Sequence, residues 1–273
     1  MNLSDRDSLL KFLKKFDLVP KKRLGQHFLC SARVLEEIHH QLEEVQSVLE
    51  IGPGPGILTA SLCNWVPMVE AIEIDESVIP ALKFIAKNAR VILGDALKID
   101  WRNNLDKLPR PRVLVSNMPY YITGGLLQKV IEARQSMDFA LLMMQEEVGN
   151  RISAQAKTGE RGSLSVHLQA LFTISMVCKV SADEFVPEPK VNSIVLKLIP
   201  SQKQFPDRFF EFMRRGFDQP RKTLINNLGK AYELPKESMK TNLQSVGLTD
   251  LARAQELTEE EWLALYAKMT PLI

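Results

Sequence analysis

The chain has 273 residues, of which 45% are hydrophobic and 25% charged, with a formal net charge of +2 and three cysteines. That length holds one large domain, or a large and a small one, and the composition is typical of a globular protein. No apolar run approaches the ~20 residues of a membrane span, the polar start is unlike a secretory signal, and the scattered cysteines lack the spacing of a metal site, so we expect a cytoplasmic protein with no metal.

The first half of the chain alternates helical and strand-like segments. Apolar residues at helical spacing predict a short helix within residues 1–20, and Ser31 is a suitable N-cap for a helix that extends to Glu44. Five apolar, β-rich segments follow, separated by helical stretches: Ser47–Gly52, Met68–Asp75, Ala89–Asp95, Arg112–Asn117 and Met137–Gln145. This alternation predicts an α/β fold, with a doubly wound, mostly parallel sheet.

The pattern changes after residue 170. Ile174–Val180 and Ser193–Ile199 have the composition of strands and no long helix between them, which predicts an antiparallel hairpin at the edge of the sheet. Four helical segments with proline breaks follow Pro200: Arg208–Phe217, Arg221–Ala231, Lys236–Val246 and Glu259–Lys268. We therefore expect a sheet domain over residues 1–200 and a small all-helical domain over residues 201–273.

A glycine-rich turn follows the first of the five strands. Gly52, Gly54 and Gly56 alternate with two prolines, and a predicted helix begins at Ile57. Glycine lets the backbone turn sharply and approach a ligand closely. Ile57 stands where a dinucleotide fingerprint has its third glycine, and the prolines remove two N–H donors that a phosphate would use. The loop therefore favours a cofactor without phosphates, although a β-α turn that binds nothing has a similar pattern.

Acidic residues end the next two strands. Glu73 lies 21 residues after Gly52, where a carboxylate can accept hydrogen bonds from both hydroxyls of a ribose. Asp75 is a rival for that role by spacing alone. Asp95 could accept from an adenine amine while the backbone N–H of Ala96 donates to the ring, and its alternative role is that of an aspartate in a turn. Ligands of such sheets lie outside the carboxyl ends of the strands, so three successive strand ends indicate one nucleoside site.

The most informative motif is Asn117-Met118-Pro119-Tyr120, at the end of the fourth strand. Pro119 restricts Met118 to an extended backbone, so that the Asn117 side-chain oxygen and the Met118 carbonyl can accept from the same NH2 group. Tyr120 then offers a flat face for a base. These features predict methyl transfer from S-adenosylmethionine to an exocyclic amine, favouring adenine.

A flipped base is usually held between two aromatic or apolar side chains. Phe185 is our candidate for the ring opposite Tyr120, and its alternative role is that of a buried residue that anchors the edge hairpin.

Four ordered motifs resemble those of the ribosomal RNA adenine dimethyltransferases, and most closely the small-subunit branch of that family. The motifs are Lys22-Arg23-Leu24-Gly25-Gln26-His27-Phe28-Leu29, Glu50-Ile51-Gly52-Pro53-Gly54, Asn117-Met118-Pro119-Tyr120 and the segment from Phe185 to Ser193. The resemblance covers nearly the whole chain. Two positions depart from it, since His27 stands where many relatives have Asn, and Met118 where Leu is usual.

The resemblance implies a class I methyltransferase sheet with a helical domain that helps to hold RNA. It also implies dimethylation at N6 of two adjacent adenosines in a hairpin loop near the 3′ end of small-subunit rRNA, during ribosome maturation. With the strand-end analysis, it gives these candidate cofactor-binding residues: His27, Leu29, Gly52, Gly54, Glu73, Asp95, Ala96 and Asn117. Asn117 and Tyr120 would also serve the target base.

Positive charge is concentrated in two segments. Residues 1–30 and residues 201–230 each contain seven Lys and Arg against three acidic residues, whereas residues 231–273 contain four against seven. Solvated helix faces would give similar runs, but with an rRNA substrate we expect phosphate contacts. The candidate RNA-binding residues are Lys21, Lys22, Arg23, Arg214, Arg215, Arg221 and Lys222.

Other functions remain open at this level. The enzyme could methylate adenine in large-subunit rRNA or DNA, or a glutamine side chain of a protein, which also needs an amine clamp. It could also be a ribosome-assembly checkpoint factor in which catalysis is secondary. A dehydrogenase is disfavoured because the third glycine is missing. We expect a monomer that binds the small-subunit precursor.

Overall fold

The structure is a computed structural model that describes residues 3–158 and 160–272, and it divides into two compact units. The first unit comprises Met1–Gly149 and Thr173–Pro200, and the second Asn150–Phe172 and Ser201–Ile273. The sequence-based boundary near residue 200 placed residues 150–172 in the sheet domain, whereas the structure groups them with the C-terminal helices. The apolar face of this segment explains the difference, because Val166 is part of the hydrophobic core of the second unit.

The first unit is built on a seven-stranded sheet with the order β4-β3-β2-β5-β6-β9-β7. Its strands are β2 Ser47–Ile51, β3 Met68–Glu73, β4 Arg90–Leu93, β5 Arg112–Asn117, β6 Phe139–Gln145, β7 Phe172–Val180 and β9 Ser193–Pro200. The strands β2 to β6 pair in parallel, and β9 pairs antiparallel with β6. The predicted fold class is therefore confirmed.

A separate two-stranded antiparallel sheet joins β1 Phe28–Leu29 to β8 Phe185–Val186. Phe28 is opposite Val186, and Leu29 is opposite Phe185. All four side chains are buried. This pairing brings the N-terminal motif to the segment that links β7 and β9.

Helices connect the strands of the first unit. They are α1 Arg6–Lys15, α2 Ala32–His39, α3 Ile57–Trp65, α4 Ile79–Ile85, α5 Trp101–Leu105, α6 Thr123–Ala133 and α7 Glu146–Ser153, whose last residues belong to the second unit. The hydroxyl of Ser31 accepts from the backbone N–H of Val34 at 3.2 Å, which confirms the predicted N-cap. The helix ends at His39 rather than at Glu44, because the backbone N–H groups of Gln41 and Leu42 donate to carbonyls three residues back instead of four.

The core of the sheet explains why its central strands are apolar throughout. β2 is buried along its whole length, and so is β5 up to Ser116. Val48, Val113 and Leu141, from three neighbouring strands, belong to one hydrophobic cluster. Parallel sheets covered on both faces need such continuous apolar strands. Because β2, β3 and β5 are parallel, their carboxyl ends lie together at the same edge of the sheet, beside the point between β2 and β5 where the order of the strands reverses.

The second unit is helical, with α8 Ser163–Leu171, α9 Phe209–Gly216, α10 Leu224–Ala231, α11 Lys236–Ser245 and α12 Glu259–Met269. Trp262 is fully buried, and a Cβ at Gly216 would lie only 2.4 Å from its ring, so α9 and α12 approach closely there. Thr258 and Glu261 form a capping box at the start of α12. Within residues 3–158 and 160–272, no helix is both long and apolar enough to cross a membrane.

Candidate active site

A cavity of about 330 Å³ lies where β2, β3 and β5 end. Its volume is at the lower end of the range for small-molecule sites. The eight candidate cofactor residues all line it: His27, Leu29, Gly52, Gly54, Glu73, Asp95, Ala96 and Asn117. Met118, Pro119 and Tyr120 line it as well. The structure therefore brings together residues that lie up to about ninety positions apart in the chain.

The glycine loop has the backbone that its sequence predicts. Gly52, Gly54 and Gly56 have φ values of +70°, +55° and +97°, a region that side chains disfavour. A Cβ at Gly54 would lie 3.1 Å from the Phe28 ring, so the loop packs tightly against β1. The first two glycines therefore form a narrow backbone wall of the cavity.

Glu73 is a buried carboxylate at the end of β3. Its two side-chain oxygens accept hydrogen bonds from the backbone N–H groups of Gly54, at 2.9 Å, and Asp75, at 2.7 Å. Burial raises the pKa of Glu73, although these backbone donors oppose the shift. A carboxylate oxygen can accept more than one hydrogen bond, so both oxygens remain able to accept from ribose hydroxyls.

Asp75, the rival of Glu73, has a different role. One oxygen accepts from the ammonium of Lys21 at 2.6 Å, and the other from the amide of Gln26 at 2.8 Å. Although burial raises the pKa of Asp75, hydrogen bonds from Lys21, Ser77 and Gln26 lower it to about 2. Asp75 therefore fastens the basic loop to the sheet. The ammonium of Lys21, a predicted phosphate contact, pairs with this carboxylate while the lysine side chain stays 34% exposed.

Asp95 has the turn role that its sequence left open, and it also lines the cavity. One oxygen accepts from the backbone N–H of Leu97 at 2.9 Å, as in a turn. The other has a distant ion pair with Lys98 at 3.9 Å. The side chain is 30% exposed and lines the cavity, so the turn leaves an acceptor available to a ligand.

The Asn117 amide has a defined orientation. Its nitrogen donates to the backbone carbonyl of His27 at 3.0 Å. Because a carbonyl only accepts, the amide nitrogen must face His27, and Oδ1 is left as the acceptor of the side chain. The backbone N–H of Met118 donates to the carbonyl of Met143 at 2.9 Å, and its side chain is buried. Both predicted acceptors of the amine clamp are therefore attached to rigid neighbours.

Tyr120 has a fixed ring. Its hydroxyl shares a hydrogen bond with that of Ser193 at 2.8 Å, and its ring stacks on His27, with 5.5 Å between the centroids and 20° between the planes. Phe185 is not opposite it. Phe185 is fully buried, belongs to the core beside Val195 and is absent from the lining of the cavity. Pairing of β8 with β1 turns this side chain into the core, so its alternative role as an anchor is the one that the structure supports.

Several residues of the cavity were not identified from the sequence. Glu50 is only 1% exposed, and its Oε2 has no hydrogen-bond partner in the part of the chain that the structure describes. Burial raises the pKa of Glu50 to about 8. The motif around Gly52 contains this residue, but only its burial distinguishes it from a strand-end carboxylate. Most of the other residues missed are apolar, and they include Leu24, Gly25, Ile74, Leu97, Tyr121 and Leu126.

These observations fit S-adenosylmethionine. The glycine wall would suit a cofactor without phosphates, the carboxylates of Glu73 and Asp95 supply acceptors, and the carboxyl group of Glu50 adds a buried oxygen that has no partner among the described residues. Several carboxyl oxygens around one cavity suit a ligand that carries an amino group, ribose hydroxyls and a cationic sulfur.

The other predicted RNA-binding residues are on the surface. In the first unit, Lys22 and Arg23 are exposed. In the second unit, Arg214, Arg221 and Lys222 are exposed. Arg215 is partly buried, and a nitrogen of its guanidinium lies 3.7 Å from a carboxylate oxygen of Glu211. An ion pair whose two side chains are 42% and 49% exposed is weak, so Arg215 can leave Glu211 for a phosphate.

A family model described as ribosomal RNA adenine dimethylase matches residues 19–270. The chain belongs to the ribosomal RNA adenine dimethylase family. This confirms the resemblance of the four motifs and the predicted enzyme class, an rRNA adenine dimethyltransferase. S-adenosylmethionine is accordingly the expected methyl donor.

Similar proteins agree with this membership. The chain is 37% identical over 254 residues to a ribosomal RNA small subunit methyltransferase A of Phytoplasma australiense, with 89% of each chain covered. It is 36% identical over 266 residues to a protein of the same name from Clostridium botulinum, covering 92% of this chain and 94% of the other.

Among solved structures, the fold is similar to that of a dimethyladenosine transferase from Plasmodium falciparum, with a TM-score of 0.74, 27% identity and coverage of 90% and 98% of the two chains. A 23S rRNA methyltransferase shares the fold with a TM-score of 0.65 at 24% identity, covering 89% and 99%.

Proposed function

We propose that this protein transfers methyl groups from S-adenosylmethionine to N6 of two adjacent adenosines in a hairpin loop near the 3′ end of small-subunit rRNA, during ribosome maturation. The main support is the oriented amide of Asn117, which leaves Oδ1 as an acceptor beside the carboxyl end of β5. Relatives named for small-subunit rRNA methylation support the choice of RNA. We further propose that it acts as a monomer in the cytoplasm.

The cofactor would occupy the cavity. Glu73 would accept from the ribose hydroxyls, and Asp95 with the backbone of Ala96 would hold the adenine. Gly52 and Gly54 would form the wall against which the cofactor packs, and His27 and Leu29 would contact it from the N-terminal motif. When bound, S-adenosylmethionine supplies an electrophilic methyl group whose leaving group needs no protonation.

The acceptor nitrogen needs more assistance, because its lone pair is delocalised into the adenine ring. Asn117 Oδ1 and the Met118 carbonyl would accept its two N–H groups, which favours a pyramidal and more nucleophilic nitrogen. Fixed positioning can lower a barrier by up to ~7–11 kcal/mol. The same acceptors stabilise the positive charge that develops on nitrogen. Water can take the proton afterwards, and Tyr120 would stack on the base.

The basic residues would supply affinity rather than chemistry. Lys22 and Arg23 beside the site, and Arg214, Arg221 and Lys222 on the helical unit, are exposed and suited to phosphates. Arg and Lys contacts to phosphates release counterions, so we expect binding to the subunit precursor to weaken steeply with salt. An affinity that stays flat between low and moderate salt would contradict this role.

The test is mass spectrometry of nucleosides after incubation of the protein with labelled S-adenosylmethionine and unmethylated small subunits. We expect N6,N6-dimethyladenosine, at up to two residues per subunit. Asn117→Ala should lower the rate by about 100-fold or more, the scale of losing one fixed polar group that stabilises developing charge. Asn103→Ala, at an exposed position on α5, is the matched control.

Three results would overturn parts of this proposal. Label in large-subunit RNA or DNA, or in protein glutamines, would change the substrate. An unimpaired Asn117→Ala would remove the clamp from the mechanism. An inactive Asn117→Ala that still supports subunit assembly would give the checkpoint role more weight than catalysis.

A further inference from the structure

The aromatic surface of Tyr120 is covered in the structure. The imidazole of His27 stacks on it, with ring centroids 5.5 Å apart and 20° between the planes. Both residues line the cavity. The hydrogen bond between the hydroxyls of Tyr120 and Ser193 holds the tyrosine ring in place.

The position of His27 has two separate supports. Its Nδ1 lies 2.7 Å from the carbonyl of Pro187, so this nitrogen carries a proton and donates. Its own backbone carbonyl accepts from Asn117. Rotation about the Cα–Cβ bond would move the ring and break only the exposed bond to Pro187, which water can replace. The ring can therefore leave Tyr120 without disturbing the contact that orients the Asn117 amide.

There is no room for a base between these two rings. Stacked bases are about 3.4 Å apart, so a base between parallel rings needs about 6.8 Å. His27, Asn117 and Tyr120 line the same cavity, and the imidazole covers one face of the Tyr120 ring there. A base that stacks on this face of Tyr120 must take the place of the imidazole.

We propose that His27 is a positioning residue that occupies the stacking surface of Tyr120 before RNA binds and gives way to the target adenine. This inference rests on the proposed function. His27 keeps Tyr120 covered without substrate, and the energy of that stack opposes entry of the base. A favourable aromatic pair of this kind corresponds to about a 2- to 12-fold change in an equilibrium constant.

Fluorescence of an rRNA hairpin with 2-aminopurine at a loop position beside the two target adenosines measures this competition. Binding is measured with saturating S-adenosylhomocysteine, so that altered cofactor contacts do not affect the comparison. We expect His27→Asn, which removes the ring but keeps a polar amide, to lower the Kd by about 2- to 12-fold. His27→Phe keeps a ring and should show no such gain. Against an otherwise identical abasic hairpin, His27→Asn should have no effect.

Two results would overturn the inference. One is an unchanged or higher Kd for His27→Asn, and the other is an equal gain on the abasic hairpin, which would reveal a general effect on RNA binding. Steady-state kinetics provide a second readout, since removal of a competitor for the ground state lowers KM more than it changes kcat.

The ring itself can be followed without turnover. The His27 ring protons, assigned by comparison with His27→Asn, should show a ring-current shift in the free protein and lose it when the adenine hairpin binds. A shift that persists in the complex would overturn the displacement. Failure of the proposed function is distinguishable, because it would appear as an absence of dimethyladenosine from the wild-type protein on small subunits.

Discussion

Asp75→Asn tests whether one buried carboxylate fastens the N-terminal motif to the sheet. The substitution preserves the size of the side chain but removes the charge that pairs with Lys21 at 2.6 Å. It also removes one of the two acceptor oxygens, which serve Lys21 and Gln26. Because the residues after Gln26 line the cavity, we expect loss of both stability and cofactor affinity.

The magnitude follows from the pKa of Asp75. The pKa falls from 3.8 to about 2 on folding, and one pKa unit corresponds to about 1.36 kcal/mol. The ionised carboxylate therefore contributes about 2 kcal/mol, rounded down because Lys21 is 34% exposed and partly screened by solvent. A depressed pKa gives stability that is complete above about pH 4 and is lost as the pH falls through about 2.

Urea unfolding at pH 7 measures the first effect, and titration calorimetry with S-adenosylhomocysteine the second. Asp75→Asn should lower the free energy of unfolding by about 2 kcal/mol. It should also weaken ligand binding several-fold, because the arrangement of the N-terminal motif that lines the cavity is then populated less. Glu76→Gln, which removes a neighbouring exposed carboxylate, is the matched control. A loss below about 0.5 kcal/mol, or equal losses in the two variants, would refute the reasoning.

Glu50 and the pair Arg221 and Lys222 give two further predictions. Because burial raises the pKa of Glu50 to about 8, the native chain keeps a proton that the unfolded chain releases above about 4.5, and stability should fall as the pH rises from 5 to 9. In thermal unfolding, the fall in Tm between pH 5 and pH 9 should be smaller in Glu50→Gln by several degrees. An equal fall in Tm in the two proteins would contradict the burial of a neutral acid. Replacing Arg221 and Lys222 together by Ala should reduce the slope of log affinity for the RNA hairpin against log salt by about 1.5. Lys268→Ala, at an exposed position on α12, should leave that slope unchanged.

Local patterns were sufficient for much of the fold. Strands buried on both faces need continuous apolar runs, so β2 and β5 were predictable within a residue. The glycine loop was predictable too, because positive φ values select glycine whatever lies around it. The edge hairpin followed from two strands with no long helix between them. Only the contacts of the apolar helix Ser163–Leu171 decided that it belongs to the second unit.

The same division applies to the site. Six of the eight candidate cofactor residues that line the cavity could be predicted from strand ends, because strand polarity places these ends at one edge, whereas His27 and Leu29 followed from the resemblance. The pairing of β1 with β8 decided that Phe185 enters the core, and that His27 reaches Tyr120. Distance in space likewise decided that Lys21 pairs with Asp75, 54 residues further along the chain. The sequence alone determined which residue types meet at the strand ends, since backbone geometry is local. The partners of each side chain were decided only by the tertiary structure, since pairing and burial join residues that are far apart in the chain.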